Sequence, residues 1–116
     1  MSASRAKGTA AESAVVDYLK SVGFPYAERR ALSGSKDRGD VAGLPGVVIE
    51  VKSAARVELS EWLKEAEVEK HNANASVGVV WAKRKGKGSP GDWFVIMTGA
   101  QFIALLEAPA ANEEAP

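Results

Sequence analysis

Gly39-Asp40-Val41 and, a few residues on, Val47-Val48-Ile49-Glu50-Val51-Lys52 decide how this chain folds. Val47, Val48, Ile49 and Val51 form a nearly continuous apolar run, the pattern of a strand covered on both faces. A carboxylate placed there carries a large desolvation cost unless a cation or hydrogen-bond donors meet it. Side chains alternate along a strand, so Glu50 and Lys52 project from the same face. An acid beside an ammonium, with Asp40 on a neighbouring strand, is a sensible site for a divalent metal and an activated water.

Working outward, the spacing predicts a helix from about Thr9 to just before Gly23, with Val15, Val16, Leu19 and Val22 on one buried stripe. Strand signals follow at residues 26–32, 40–42 and 47–52, punctuated by Gly34, Gly39, Gly43, Pro45 and Gly46. A second helix is expected over residues 58–72, with Leu59, Trp62, Leu63 and Ala66 inward, and a strand over residues 77–81. Strand, helix and strand in that order imply parallel pairing. A basic loop from Lys83 to Asp92 leads into a strand at residues 93–97. Thr98 with Gln101 three residues later is a capping-box start for a last helix through Leu106. The order αβββαβ, plus a terminal βα, describes an α/β protein: a mixed sheet flanked by helices.

With 116 residues, the chain is expected to form one domain over residues 1–106. Residues 107–116, small, acidic and proline-punctuated, are expected to be a disordered tail. There is no cysteine, which excludes disulfides, zinc-thiolate sites and cysteine nucleophiles. No apolar run approaches the roughly 20 residues of a membrane span. Nothing near Met1 has the form of a signal peptide, so a cytoplasmic protein is expected. Fifteen basic and fifteen acidic residues balance, but they are segregated. Lys83, Arg84, Lys85 and Lys87 cluster, and Glu58, Glu61, Glu65, Glu67 and Glu69 gather on the second predicted helix. A polyanionic partner at one end of the molecule is compatible with that split.

Each candidate has a plain alternative. Asp40 can cap a turn while Glu50 and Lys52 pair on an exposed face. Glu12 falls on the apolar stripe of the first helix, as a third site acid would. Thr9 and Glu12 also have the spacing of a capping box, so two roles are open to it. Lys83, Arg84, Lys85 and Lys87 can grip phosphates or simply solvate a loop. Arg29, Arg30, Lys36 and Arg38 flank the acids and are candidate substrate contacts. His71, the single histidine, reads as a solvated cation at a helix end. Trp62, Trp81 and Trp93 read as core.

Taken together, Lys7-Gly8-Thr9-Ala10-Ala11-Glu12, Gly39-Asp40 and Ile49-Glu50-Val51-Lys52 resemble the PD-(D/E)XK nuclease superfamily, and within it the Holliday junction resolvases of phage and archaeal type. The likeness spans residues 7–106. It departs where Gly39, not proline, precedes the first acid. The resemblance implies a restriction-endonuclease-like fold and Mg²⁺-dependent hydrolysis of phosphodiesters in branched DNA, with Mn²⁺ expected to substitute. It implies metal ligation by Asp40, Glu50 and the Val51 carbonyl, with Glu12 at a second metal or a bound water and Lys52 as the catalytic cation. It also implies DNA as partner and a symmetric homodimer, since a four-way junction is cut on two opposed strands. In that branch a serine after the first strand assists catalysis; Ser33 and Ser35 are the candidates, with turn formation as their other role. The alternatives are a flap, single-strand or other structure-specific nuclease of the same fold, or a non-catalytic nucleic-acid-binding module.

Overall fold

The computed structural model describes residues 3–30 and 38–107, with side chains from Ala6 onward. In chain order the elements are α1 (Ala3–Ser21), β1 (Glu28–Arg29), β2 (Val41–Ala42), β3 (Val47–Lys52), α2 (Leu59–Asn72), β4 (Val77–Ala82), a 3₁₀ turn (Pro90–Asp92), β5 (Phe94–Ile96) and α3 (Gly99–Glu107). The strands form one mixed sheet in the order β1-β2-β3-β4-β5. β2 runs antiparallel to both β1 and β3, β3 and β4 run parallel, and β5 returns antiparallel to β4. A parallel neighbour cannot be reached by a tight turn, so α2 carries the chain back. The pairing of β3 with β4 is unbroken from Val47↔Val77 to Lys52↔Ala82.

Two apolar layers fix which way β3 presents its side chains. Ala11, Val15, Val16 and Leu19 of α1 pack with Ile49, Val51, Val77 and Val79. Trp62 and Ala66 of α2 pack with Val80 and Ala82 on the other face. Ile49 and Val51 therefore lie under α1, and by alternation Glu50 and Lys52 lie under α2. Contact at that second face is close. A Cβ on Gly78 would stand 3.0 Å from the Ala66 carbonyl oxygen, so a bare glycine lets the helix settle on β4.

Several expectations are corrected. α1 begins at Ala3, in an alanine-rich stretch of high helix propensity, so Thr9 and Glu12 lie in the helix interior and form no capping box. Val22 is past the end of α1 and is half exposed. Among the described residues the first strand is confined to Glu28–Arg29, with Tyr26 exposed before it, while residues 31 and 32 of the expected strand lie outside the described residues. Leu59 is exposed and Leu63 half-buried, and the inner stripe of α2 runs Trp62, Ala66, Glu69. Glu107, expected in the tail, closes α3; residues 108–116 lie outside the described residues.

The capping box at α3 is half formed. The Gln101 N–H donates to Thr98 Oγ1 at 3.2 Å, but the Gln101 side chain does not return the bond. Its Oε1 instead accepts the Gly78 N–H at 2.7 Å inside the protein. β5 reaches only Val80 to Ala82 of β4, and α3 covers the rest. Phe102, Ile103 and Leu106 of α3 are exposed. Among the described residues no helix is long and apolar enough to cross a membrane.

Candidate functional site

Asp40, Glu50 and Lys52 meet where β2 begins and β3 ends. The register that sets Val41 opposite Ile49 sets Asp40 opposite Glu50. Gly39 makes that approach possible. It has φ +94°, which proline cannot adopt, and a Cβ there would come within 2.8 Å of Val48 Cγ1. Gly39 is thus a steric requirement of this backbone. Asp40 Oδ2 accepts the Val51 N–H at 2.7 Å, which fixes the carboxylate at the strand edge. A strand residue sends its N–H and C=O out by the same edge, so the Val51 carbonyl opens beside Asp40.

Glu50 is buried and Lys52 half-buried, so they pair beneath α2, not on an exposed face. Lys52 Nζ lies 3.2 Å from Glu50 Oε2 and 2.8 Å from Glu65 Oε2. Burial pulls the ammonium pKa down, but Glu65 and Glu50 more than offset this and leave it raised. The Glu50 carboxyl is pushed up to about 8, first by burial and then by Asp40. Glu50 Oε1 is buried with no hydrogen-bond partner among the described residues.

Glu12 reaches the same neighbourhood from α1, on the other face of the sheet. Its Oε1 accepts from Arg29 Nε at 3.2 Å. Its pKa is raised by burial and then by the nearby Asp40 charge, with Arg29 opposing both. Asp40 therefore couples to Glu12 on one side and to Glu50 on the other.

Two acids escaped sequence reasoning. Glu50, Glu65 and Glu69 each bring a carboxylate oxygen within 4.8 Å of the others, a cluster that can hold a metal ion. The signal for Glu69 was present: extending the stripe Trp62, Ala66 by one more helical step lands on it. Glutamate at an inward position is what hid it. Glu65 lies one turn before Glu69, among the five glutamates that gather on the second helix. Asp40 thus links Glu12 on one face to the Glu50, Glu65 and Glu69 cluster on the other, and Arg29 and Lys52 are the cations paired with these acids among the described residues.

Of the predicted substrate contacts, Arg29 is held by Glu12 and Arg30 donates its backbone N–H to the Asp40 carbonyl at 2.9 Å. Arg38 is exposed just before Gly39. Ser33, Ser35 and Lys36 lie outside the described residues. The exposed basic loop begins beside the site, since the Lys83 N–H donates to the Lys52 carbonyl at 2.8 Å. It is pinned from within by Trp93 Nε1, which donates to the Lys87 carbonyl at 2.8 Å. Trp62 and Trp93 are buried and Trp81 half-buried, while His71 is exposed in the last turn of α2. No protein-family model, curated protein or solved structure matches this chain.

Proposed function

We propose that this protein is a Mg²⁺-dependent endodeoxyribonuclease that hydrolyses phosphodiesters in branched DNA, as a Holliday junction resolvase acting as a cytoplasmic homodimer. The observation that carries the proposal is the convergence of Asp40, Glu50 and Lys52 at the end of one strand, flanked by Glu12. Their motif resemblance to PD-(D/E)XK nucleases then gives the site its chemistry.

A hard divalent cation suits the donor set, which is all oxygen, in excess of its paired cations, and includes the buried Glu50 Oε1. Asp40, Glu50 and the Val51 carbonyl would hold it, with Glu12 alongside and Glu65 and Glu69 behind Glu50. When bound, such an ion supplies a more acidic water and cover for charge on the phosphoryl oxygens. Asp40 is presented to that role by its bond from the Val51 N–H. Lys52, held by Glu50 and Glu65, is a fixed cation that would orient the attacking water or meet the charge developing on the phosphoryl oxygens. A non-catalytic scaffold would gain stability by replacing such buried charges, and here they are kept.

The test is to assay a labelled four-way junction, a flap, a duplex and a single strand side by side, in Mg²⁺, in Mn²⁺ and in EDTA. Cleavage of the junction on opposed strands in either metal, and none in EDTA, is expected. Metal-independent cleavage, or none on any substrate, would refute the assignment.

A further inference from the structure

Beside Lys52 lies a groove that none of the acids uses. A cavity of about 640 Å³ is walled by Val57, Leu59, Phe94 and Val95, over Trp62 and Ala82. Val57 is 66% exposed and Phe94 52%, so the walls are apolar surfaces left open to water. A second cavity of about 730 Å³ adjoins it, sharing Ala54, Ala55, Lys83 and Lys85. That half is cationic, with Lys7 and Arg56 added, and its carboxylate Glu58 lies 4.0 Å from Arg56. Both volumes fall in the range of small-ligand sites. Arg84 stands over the Phe94 ring, 5.4 Å from its centroid, so the rim offers an aromatic ring and a guanidinium plane together.

An apolar slot joined to a cationic slot fits a ligand with a flat apolar part and a phosphate. We infer that the groove takes an unpaired nucleotide of a DNA strand, its base against Phe94, Val57 and Leu59 and its phosphates at Lys83, Lys85 and Arg56. Charge complementarity favours nucleic acid as the occupant, and the open apolar walls favour an unpaired strand, because a duplex hides its base faces. This rests on the nuclease reading for its meaning: the groove shares Lys52 with the site, so it selects DNA whose bases are unstacked next to the bond to be cut. Flaps, single strands and open junction centres qualify.

The test measures binding of the full chain in EDTA, where no bond is cut. The probes are a labelled oligothymidylate, an abasic strand with equal phosphates, and a duplex. Thymidylate should bind roughly tenfold more tightly than the abasic strand, the order of one base–aromatic stack. Phe94→Leu should lose that margin with abasic binding unchanged, and Phe94→Trp should keep it, which also controls for folding. Lys83→Ala with Lys85→Ala should weaken both single strands together. Equal affinity for the two strands, or a margin unaffected by Phe94→Leu, overturns the inference. So does sedimentation showing that Phe94→Leu converts a dimer to monomers, since a second copy would then fill the groove. Base-dependent binding by a protein that cuts nothing would sink the nuclease assignment and leave the groove standing. Junction cleavage without the base margin would do the reverse.

Discussion

Glu50→Gln should make the metal-free protein more stable at pH 8 while leaving it unable to cut DNA. The Glu50 carboxyl titrates at about 8 in the fold, against 4.5 in an exposed chain, because burial and then Asp40 disfavour its charge. Between those values the native state holds a proton that the unfolded chain has released. The stability this proton contributes is complete below the unfolded value and is lost as pH climbs through the folded one. Each pH unit in that window costs about 1.4 kcal/mol at this one group. From pH 6 to pH 8 the wild type should therefore lose about 2–3 kcal/mol relative to the variant, whose amide does not titrate. For a small domain about 1 kcal/mol moves Tm by roughly 4–8 °C, so the gap should open by about 10 °C or more. Glu12, also raised, shifts both proteins alike. Lys52 stays charged throughout, its pKa being raised above 10.5. Melting curves in EDTA across this range test the claim, and a Mg²⁺ titration should stabilise the wild type more at pH 8 than at pH 6. Parallel pH profiles for the two proteins would show that Glu50 holds no extra proton, and the electrostatic account of the site would be wrong.

Asp40→Asn should lower cleavage on the order of a thousandfold or more with the fold intact, since it removes several kcal/mol of transition-state stabilisation; near-normal turnover in the purified variant refutes the site. Glu12→Gln should cut turnover strongly with little change in Tm, because Glu12 caps nothing in α1; a loss of Tm that tracks the rate would point to a structural role. Replacing Lys83, Arg84, Lys85 and Lys87 by alanine should lower the log–log salt slope of duplex binding by about 0.9 per lost phosphate contact, with turnover recovering at saturating DNA. A turnover defect that saturation cannot rescue would move those cations into the transition state.

The sheet was legible because its patterns are local. The run from Val47 to Lys52 bounds β3 to the residue, and the second helix and the apolar run at residues 77–81 mark the parallel crossover. Glu12, Asp40, Glu50 and Lys52 were legible because carboxylates within apolar periodicity stand out. What escaped was decided by neighbours distant in sequence. Glu69 is buried because α2 lies over β3 and β4, and within the helix only its step from Trp62 and Ala66 separates it from the exposed Glu61 and Glu67. Glu12 was ambiguous because a three-residue spacing to Thr9 looks the same at a helix start and within a helix. Gln101 was read as a cap because an unpaired amide on β4 cannot be seen from residues 98–106.

That bond from Gly78 to Gln101 gives the protein an internal gauge. Most amides in a sheet exchange with solvent only when strands part, so they report the opening of the sheet. The Gly78 amide is held by a side chain of α3, and lifting that helix alone would free it while the β3–β4 ladder stayed closed. Its hydrogen-exchange rate, set against those of its neighbours Val79 and Val80, reads the free energy of undocking the last helix, separately from the free energy of unfolding.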